Sequence, residues 1–202
     1  MNILISGYGS IGKKHHLILK KIYPNSKFLF LKHTDYYNDT DILKSKLLDF
    51  NPDYIIISSY TSEHYTQLNF LNKFLKNKKI LVEKPLFDLK NNNFSFKLNN
   101  KIYVGFNLRF HPVISEIKKF IKNKEIWSLY SSCFTYLPNW RKINYKNSSS
   151  AKYKYGGGVQ LDLSHEIDYI YYLTGKYKIL YSSLGKISNL ESRGSLFSQT
   201  ST

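Results

Sequence analysis

The sequence has a single cysteine, Cys133, and so it cannot form an intramolecular disulfide bond. This scarcity argues against a secreted, disulfide-held protein and favours a reducing compartment. No apolar run approaches the ~18 residues that a membrane-spanning helix needs. No basic segment precedes the first apolar run, as an export signal would require. We therefore expect a soluble, cytoplasmic protein with no membrane partner.

Acidic residues are also scarce, with 14 Asp and Glu against 30 Lys and Arg, which gives a formal net charge of +16. Such a charge favours anionic partners such as phosphates, nucleotide sugars or nucleic acid. The lysines are scattered, however, and no nucleic-acid-binding motif lies among them, so we do not expect nucleic acid. Hydrophobic residues make up 42% of the chain, which argues against a disordered protein.

The first dozen residues combine a short apolar run, a glycine pattern and a helix-like stretch. Residues 3–5 predict a buried parallel strand. Gly7 permits a tight turn, Gly9 lets the backbone approach a pyrophosphate, and Gly12 lets the following helix lie close to the sheet. The N–H groups at the start of that helix suit phosphate charge. The alternative is a glycine loop in an unrelated fold. The predicted cofactor-binding loop comprises Gly7, Tyr8, Gly9, Ser10, Ile11 and Gly12.

Four further apolar runs, at residues 28–31, 54–57, 80–82 and 102–106, are separated by segments of helix length. This alternation predicts a parallel sheet with right-handed crossovers. The helix after the second strand has Thr40 or Asp41 as its predicted cap. The predicted fold class is α/β, with a doubly wound Rossmann sheet over residues 1–106.

The pattern changes after residue 106. Residues 113–121 predict a helix and residues 126–136 a long strand, whereas Gly156, Gly157 and Gly158 open another helix that Gly175 ends. Short strands are predicted at 179–183 and 187–190. We therefore expect an incomplete α+β domain over residues 107–190 and an irregular tail over residues 191–202.

In dinucleotide-binding folds, the adenosine ribose is bound at the carboxyl end of the second strand, where a carboxylate accepts a hydrogen bond from the 2′-hydroxyl of NAD. In this sequence no carboxylate follows the second strand directly. Lys32 and His33 follow the strand, with Asp35 later. Basic groups suit a 2′-phosphate, so we favour NADP over NAD, although both residues also fit a solvated loop. After the third strand, Thr61 and His64 are candidates for contact with the nicotinamide ribose, whereas Thr61 or Ser62 also fits a helix cap.

Four stretches, in this order, resemble the glucose-fructose oxidoreductase and inositol dehydrogenase family, usually written Gfo/Idh/MocA. They are the glycine loop followed by Lys13, Lys14 and His15; Glu83, Lys84 and Pro85; residues 104–112; and residues 156–168. The resemblance runs from about residue 3 to residue 190. It implies an NAD(P)-dependent oxidoreductase that acts on sugars, cyclitols or nucleotide-linked sugars, and it implies a homo-oligomer.

The resemblance also implies the site. Glu83 and Lys84 are cofactor-side residues, and Lys84 is predicted to hydrogen-bond the reacting oxygen or to lower the pKa of a neighbouring acid. His165 is the predicted proton acceptor, because an imidazole titrates near neutral pH, and Asp162 is expected on the same helical face to orient it or to bind a substrate hydroxyl. Asn107 and Arg109 are predicted near the substrate, and no metal site is predicted.

Each of these residues also has a structural interpretation. Lys84 fits a solvated loop lysine, Asp162 fits a helix cap, and His165 fits a buried, hydrogen-bonded histidine. Arg109 fits a brace at the domain junction. A non-catalytic nucleotide-fold protein with a basic surface is the alternative function.

The sequence departs from the family pattern in two places. Asp162 and His165 are three positions apart, where many members of the family have four. The second domain is also short, which suggests a truncated product and makes oligomerisation doubtful. We accordingly expect cofactor binding with poor turnover of sugars.

Overall fold

The computed structural model describes residues 1–88, 94–95, 99–140, 144–186, 189–190 and 195–201. These residues form two compact units, unit 1 (Met1–Gly105) and unit 2 (Phe106–Thr202). Among the described residues, no helix combines the length and the apolar character that a membrane crossing requires.

Unit 1 is built on one parallel sheet, as the alternation of apolar runs predicts. Its strands are β1 (Asn2–Ser6), β2 (Lys27–Leu31), β3 (Tyr54–Ile57), β4 (Lys79–Val82) and β5 (Lys101–Val104). They lie in the order β2-β1-β3-β4-β5. The chain runs outward from β1 to β2 and then crosses back to β3, so the order reverses between β1 and β3. In open α/β sheets a crevice for ligands lies at the carboxyl ends of the strands beside such a switch point.

Helices cover both faces of this sheet. The connecting helices are α1 (Ser10–Ile22), α2 (Thr40–Phe50) and α3 (Thr61–Leu71). Alternate residues of β1 point to opposite faces, with Leu4 in the larger core cluster beside residues of α2 and α3. Ile3 and Ile5 lie in the other cluster, against which Leu19 of α1 packs. The predicted α/β doubly wound fold is therefore confirmed for unit 1.

The cap of α2 differs from the prediction. The N-cap residue is Asp39, whose Oδ1 accepts hydrogen bonds from the backbone N–H groups of Asp41 and Ile42 at 3.0 and 2.9 Å. The prediction of Thr40 or Asp41 is wrong by one or two positions, because the Asp39 carboxylate already satisfies these two N–H groups.

Unit 2 contains mainly helices. They are α4 (Pro112–Ile121), α5 (Leu137–Trp140), α6 (Val159–Asp162) and α7 (Ser164–Thr174). Short 3-10 turns lie at Asn107–Phe110, Tyr145–Asn147, Ser149–Ala151 and Tyr153–Tyr155. Strands β6 (Lys178–Gly185) and β7 (Ser195–Ser201) form an antiparallel pair. Unit 2 therefore mixes helices with an antiparallel sheet.

Three strand predictions in unit 2 need comment. Residues 126–136 form no strand, because apolar β-formers there, such as Trp127 at 89% exposure, have no sheet to pack against. The irregular tail predicted over residues 191–202 is wrong for Ser195–Ser201, since β6 supplies a backbone partner that local sequence does not reveal. Of the strand predicted at 187–190, residues 187 and 188 lie outside the described residues, and 189–190 are not in a strand.

Candidate functional site

The loop after β1 passes very close to the loop after β3. Gly7 has a φ of +89°, and a Cβ added to it would lie 2.5 Å from the backbone nitrogen of Ser59. Its own N–H donates to the Leu31 carbonyl at 2.9 Å, and the Ser58 hydroxyl donates to the Gly7 carbonyl at 2.8 Å. A side chain at position 7 would force these loops apart, so glycine is required by both conformation and space.

The other two glycines of the loop differ from each other. A Cβ at Gly12, in the first turn of α1, would lie 2.1 Å from the Gly7 carbonyl oxygen. Only glycine therefore lets α1 approach the loop this closely. A Cβ at Gly9 would meet no atom of the described residues within 4 Å. Gly7 and Gly12 thus shape the loop, whereas Gly9 leaves open space beside its backbone.

The start of α1 offers favourable electrostatics for an anion. Gly9 is its N-cap residue and has no side chain that could bond the first N–H groups of the helix. The first turn of α1 contains no acidic residue. The first N–H groups of a helix have no intrahelical partner, and its dipole places partial positive charge at that end. Ser10 and Ile11 form the exposed first turn. The loop and helix therefore suit a phosphate group.

Tyr8 belongs to an aromatic group along β2, the edge strand of the sheet. Its ring lies edge-on to Phe30, with ring centroids 4.5 Å apart, and its hydroxyl is 2.6 Å from Nδ1 of His16. The side chain is thereby fixed beside the glycine loop. Sequence reasoning missed His16, which lacks a motif of its own.

The carboxyl end of β2 carries basic side chains, as predicted. Lys32 and His33 are exposed, and the His33 ring lies 6.1 Å from that of Tyr60 in the loop after β3. The Asp35 carboxylate accepts a hydrogen bond from the backbone N–H of Lys32 at 2.8 Å. Asp35 is therefore turned toward its own chain, and the solvent-facing groups at this end are cationic or neutral.

The segment after β4 carries Glu83, Lys84 and Pro85. The Glu83 N–H donates to the Ile57 carbonyl at 2.8 Å, which continues the ladder by one residue. Its Oε1 lies 2.6 Å from Nε2 of His15 on α1. Lys84 is half-buried and follows directly. The structure therefore places Lys84 at the same edge of the sheet as the glycine loop.

His64 is buried in unit 1, with 1% of its surface exposed. Its Nδ1 lies 3.0 Å from the Pro85 carbonyl oxygen. Since a carbonyl only accepts, Nδ1 carries the proton. Burial lowers the pKa of His64, an effect that outweighs its backbone hydrogen bonds and the charge of Glu83. A neutral His64 thus faces the 83–85 segment from inside the core.

Thr61 begins α3, whose N-cap residue is Tyr60. Among residues 1–88, the structure shows no side-chain hydrogen bond from that N-cap residue to the helix. Because the N-cap residue is Tyr60, the alternative in which Thr61 or Ser62 is the N-cap is wrong. Thr61 instead lies half-buried at the carboxyl end of β3, beside the switch point.

In unit 2, Arg109 makes a two-pronged contact with Asp168 of α7. Its Nε donates to Oδ2 at 2.8 Å and its Nη2 to Oδ1 at 2.5 Å. The guanidinium also lies over the rings of Phe106 and Tyr172, at 5.8 and 5.4 Å. Its hydrogen bond to Asp168 raises the pKa of Arg109. Arg109 thus braces unit 2 internally, while Asn107 beside it is exposed.

Asp162 and His165 lie on two helices rather than one. Leu163, with φ −101° and ψ 27°, separates α6 from α7, so the predicted single helical face is wrong. The Asp162 carboxylate accepts from the Ser150 hydroxyl at 3.2 Å and from the Gly158 N–H at 3.4 Å. His165 lies 6.0 Å from the Phe106 ring. Gly158, with a φ of +123°, precedes α6 as its N-cap residue, and the break that separates Asp162 from His165 lies at Leu163.

Comparisons with known proteins support the fold. No protein-family model matches the sequence, and no curated protein matches it. Among solved structures, the chain is similar to a WlbA (WbpB) dehydrogenase from Thermus thermophilus in complex with NAD and α-ketoglutarate. The TM-score is 0.65 and the identity 17%, over 96% of this chain and 71% of that one.

Two further solved structures agree. The WlbA dehydrogenase from Bordetella pertussis, in complex with NADH and UDP-GlcNAcA, has a TM-score of 0.73 and 14% identity, over 95% of this chain and 62% of that one. An NAD-binding oxidoreductase from Klebsiella pneumoniae has a TM-score of 0.60 and 17% identity, over 92% and 56%. The chain thus spans less than two thirds of these two proteins. The chain has the fold of these NAD-binding dehydrogenases and oxidoreductases, which agrees with the fold that the resemblance to the Gfo/Idh/MocA family implies.

Proposed function

We propose that unit 1 binds a nicotinamide dinucleotide, with the pyrophosphate against residues 7–12 and the start of α1. The observation that carries this proposal is the contrast among the three glycines. Two are required by close packing, whereas Gly9 faces open space and has a φ of −75° that other residues also adopt. Glycine at position 9 is therefore not explained by the packing of unit 1, and a ligand that needs close backbone approach explains it.

We further propose that the protein is an oxidoreductase for a sugar, cyclitol or nucleotide-linked sugar. The support is the fold shared with dehydrogenases whose structures contain NAD or NADH and, in one, UDP-GlcNAcA, together with Lys84 at the glycine-loop edge. A bound nicotinamide supplies the hydride acceptor or donor. Glu83, Thr61 and Tyr8 of the glycine loop lie at this same edge of the sheet, at the carboxyl ends of its strands. The whole protein's activity and substrate are part of this proposal.

The proposed residue roles follow the chemistry of alcohol oxidation, which needs a group to take the hydroxyl proton. Lys84 hydrogen-bonds the reacting oxygen. His165 accepts the proton, and Asp162, whose carboxylate is oriented by Ser150 and Gly158, orients it or binds a substrate hydroxyl. Asn107 is the exposed substrate contact. Arg109 supports the position of this segment through its hydrogen bonds to Asp168.

The cofactor we propose is NADP in preference to NAD. Lys32 and His33 are exposed at the carboxyl end of β2, where a 2′-phosphate is read. Asp35, the nearest carboxylate in sequence, is hydrogen-bonded to the Lys32 backbone. This arrangement favours an added phosphate over a bare 2′-hydroxyl.

Titration with NADPH and NADH tests cofactor binding, with thermal melting as a second readout. A ligand at 100 times its Kd adds about 2.7 kcal/mol to the free energy of unfolding. Gly9→Ala is the diagnostic variant, because it should fold like the wild type while its methyl group obstructs the pyrophosphate. We expect its affinity to fall at least about tenfold, or about 1.4 kcal/mol. Binding that is equally tight in Gly9→Ala would contradict the proposed position of the pyrophosphate.

Turnover is tested separately, with a panel of sugars, cyclitols and UDP-sugars and each nicotinamide cofactor. The expected result is hydride transfer, followed at the nicotinamide absorbance, that Lys84→Met abolishes while cofactor affinity is retained. Tight cofactor binding without transfer to any substrate of the panel would favour a non-catalytic nucleotide-binding protein.

A further inference from the structure

The 83–85 segment emerges from the sheet at the end of β4. The Glu83 N–H makes the last ladder contact, to the Ile57 carbonyl, and Lys84 is the next residue. Two histidines contact the residues on either side of Lys84. One comes from α1 and the other from α3, so the segment is approached from two different elements of unit 1.

The first contact is on the amino side of Lys84. His15 Nε2 lies 2.6 Å from Glu83 Oε1, and the two side chains are 23% and 22% exposed. The other carboxylate oxygen, Oε2, would lie 3.1 Å from a Cβ at Gly105. The absence of a side chain at Gly105 therefore gives the carboxylate its space, and His15 fixes its direction.

The second contact is on the carboxyl side of Lys84. The Nδ1–H of His64 donates to the Pro85 carbonyl at 3.0 Å, from a side chain that is almost wholly buried. A buried imidazole without hydrogen bonds destabilises the folded state, so an apolar residue at this core position would be more stable. The hydrogen bond to the loop accounts for a histidine at position 64.

We propose that His15 and His64 are positioning residues for Lys84, a role that rests on the proposed function. Each histidine holds one neighbour of Lys84, and together they restrict the backbone from which its side chain extends. His15 lies on the same helix as Gly12, whose close packing defines the glycine loop. The position of Lys84 is therefore coupled to the phosphate-binding end of α1.

A stabilising role alone does not account for the His15–Glu83 pair. Partly exposed polar pairs contribute little to stability, about 0–1 kcal/mol even where both groups are charged. The reaction rate depends more strongly on this pair than folding stability does, because a ~1 Å displacement of a reacting group costs on the order of 10²-fold in rate. Loss of either histidine should therefore affect the position of Lys84 more than it affects folding.

The test uses four histidine variants of the full chain, His15→Ala, His15→Gln, His64→Phe and His64→Gln. Lys14→Ala is the matched control on α1, since Lys14 is exposed. Leu68→Val is the matched control in the core of α3, since Leu68 is buried. The readouts are the NMR signal of 13Cε-labelled Lys84, assigned with Lys84→Arg, amide hydrogen exchange of residues 83–87, NADPH affinity, and kcat with KM.

We expect His15→Ala and His64→Phe to move the Lys84 signal toward that of exposed lysines and to speed exchange at 83–87. Cofactor affinity should stay within about twofold, while kcat falls about 10- to 100-fold. The two Gln variants, which retain an N–H donor, should recover part of the effect. Neither control should move the Lys84 signal.

An unchanged Lys84 signal and unchanged exchange in folded His15→Ala and His64→Phe would overturn the positioning role. The same result in the controls as in the histidine variants would also overturn it, since it would indicate general destabilisation. Failure of the proposed function appears differently, as a wild-type chain that binds no nicotinamide or transfers no hydride. The NMR and exchange readouts still decide the positioning role in that case.

Discussion

The two units of this chain are stabilised by different means. Unit 1 has a five-stranded parallel sheet whose central residues are fully buried on both faces. Among the described residues of unit 2, the buried apolar side chains are Ala151 and Leu173, and most of β6 is exposed. Unit 2 relies instead on polar and aromatic contacts, of which the Arg109–Asp168 pair is the clearest. Apolar burial organises the first unit, and side-chain pairing organises the second.

This difference extends to the candidate residues. In unit 1 the glycine loop is positioned by backbone packing, and Lys84 lies between two histidine contacts. In unit 2, Asp162 is positioned by one hydroxyl and one N–H in a turn between helices. Rigid elements hold a site more precisely than turns do. We therefore expect cofactor binding to tolerate changes in unit 2 that abolish turnover.

The largest contrast is expected from adding a methyl group to one packed glycine in each unit. Gly12→Ala places a Cβ 2.1 Å from the Gly7 carbonyl, and Gly157→Ala places one 2.2 Å from the Ser149 carbonyl. Gly12→Ala should cost about 3 kcal/mol or more, because the sheet and α1 cannot separate freely, whereas Gly157→Ala should cost about 1–2 kcal/mol. Urea unfolding with segment-resolved hydrogen exchange measures both. Equal costs would remove the proposed difference in rigidity.

The next effect concerns the ion pair of unit 2. Arg109→Met leaves the Asp168 carboxylate, whose side chain is 7% exposed, without its principal partner, and should cost about 1–3 kcal/mol. Hydrogen exchange should accelerate in α7 and stay unchanged in β1 and β3. The double variant Arg109→Met/Asp168→Leu is the control and should recover most of the loss, because no buried charge remains. Accelerated exchange in unit 1 would show that the two units do not respond separately.

A smaller effect is expected at the end of β2. Lys32→Asp should reverse or erase a preference for NADPH over NADH, a change of about tenfold or about 1.4 kcal/mol in relative affinity. Lys27→Asp, at the amino end of the same strand, changes the net charge equally and should leave the ratio unaltered. A ratio that Lys32→Asp leaves unaltered would mean that this loop does not read the 2′ position.

The smallest effect is the pH dependence that His64 gives unit 1. Burial lowers its pKa in the folded state below the ordinary value of 6.5. The unfolded chain therefore binds a proton below about pH 6.5 that the folded chain does not, and stability falls as the pH falls from there toward the folded pKa. The slope is at most about 1.4 kcal/mol per pH unit. Urea unfolding from pH 7.5 to 5 should show a flatter profile for His64→Gln than for the wild type, and identical profiles would contradict a neutral, buried His64.

Much of unit 1 could be predicted from the sequence because its signals are local. Apolar runs at the spacing of strands and helices gave all five strands of the sheet, and the three glycines marked the turn before α1. The side-chain partners could not be predicted in the same way. His15 and Glu83 are 68 positions apart, and His64 and Pro85 are 21 apart. Only the parallel sheet, which aligns strand ends that are distant in sequence, brings them together.

Less of unit 2 could be predicted from local sequence patterns. Helical spacing placed Asp162 and His165 on one face, but the turn at Leu163 separates their helices. Ser195–Ser201 has no periodic apolar pattern, and its strand forms because β6 offers backbone groups to pair with. Hydrophobic periodicity thus predicted the sheet and its helices, and the spacing of three glycines predicted the loop before α1. Tertiary structure decided which polar groups meet, because hydrogen bonds and ion pairs depend on distances between elements that no local pattern encodes.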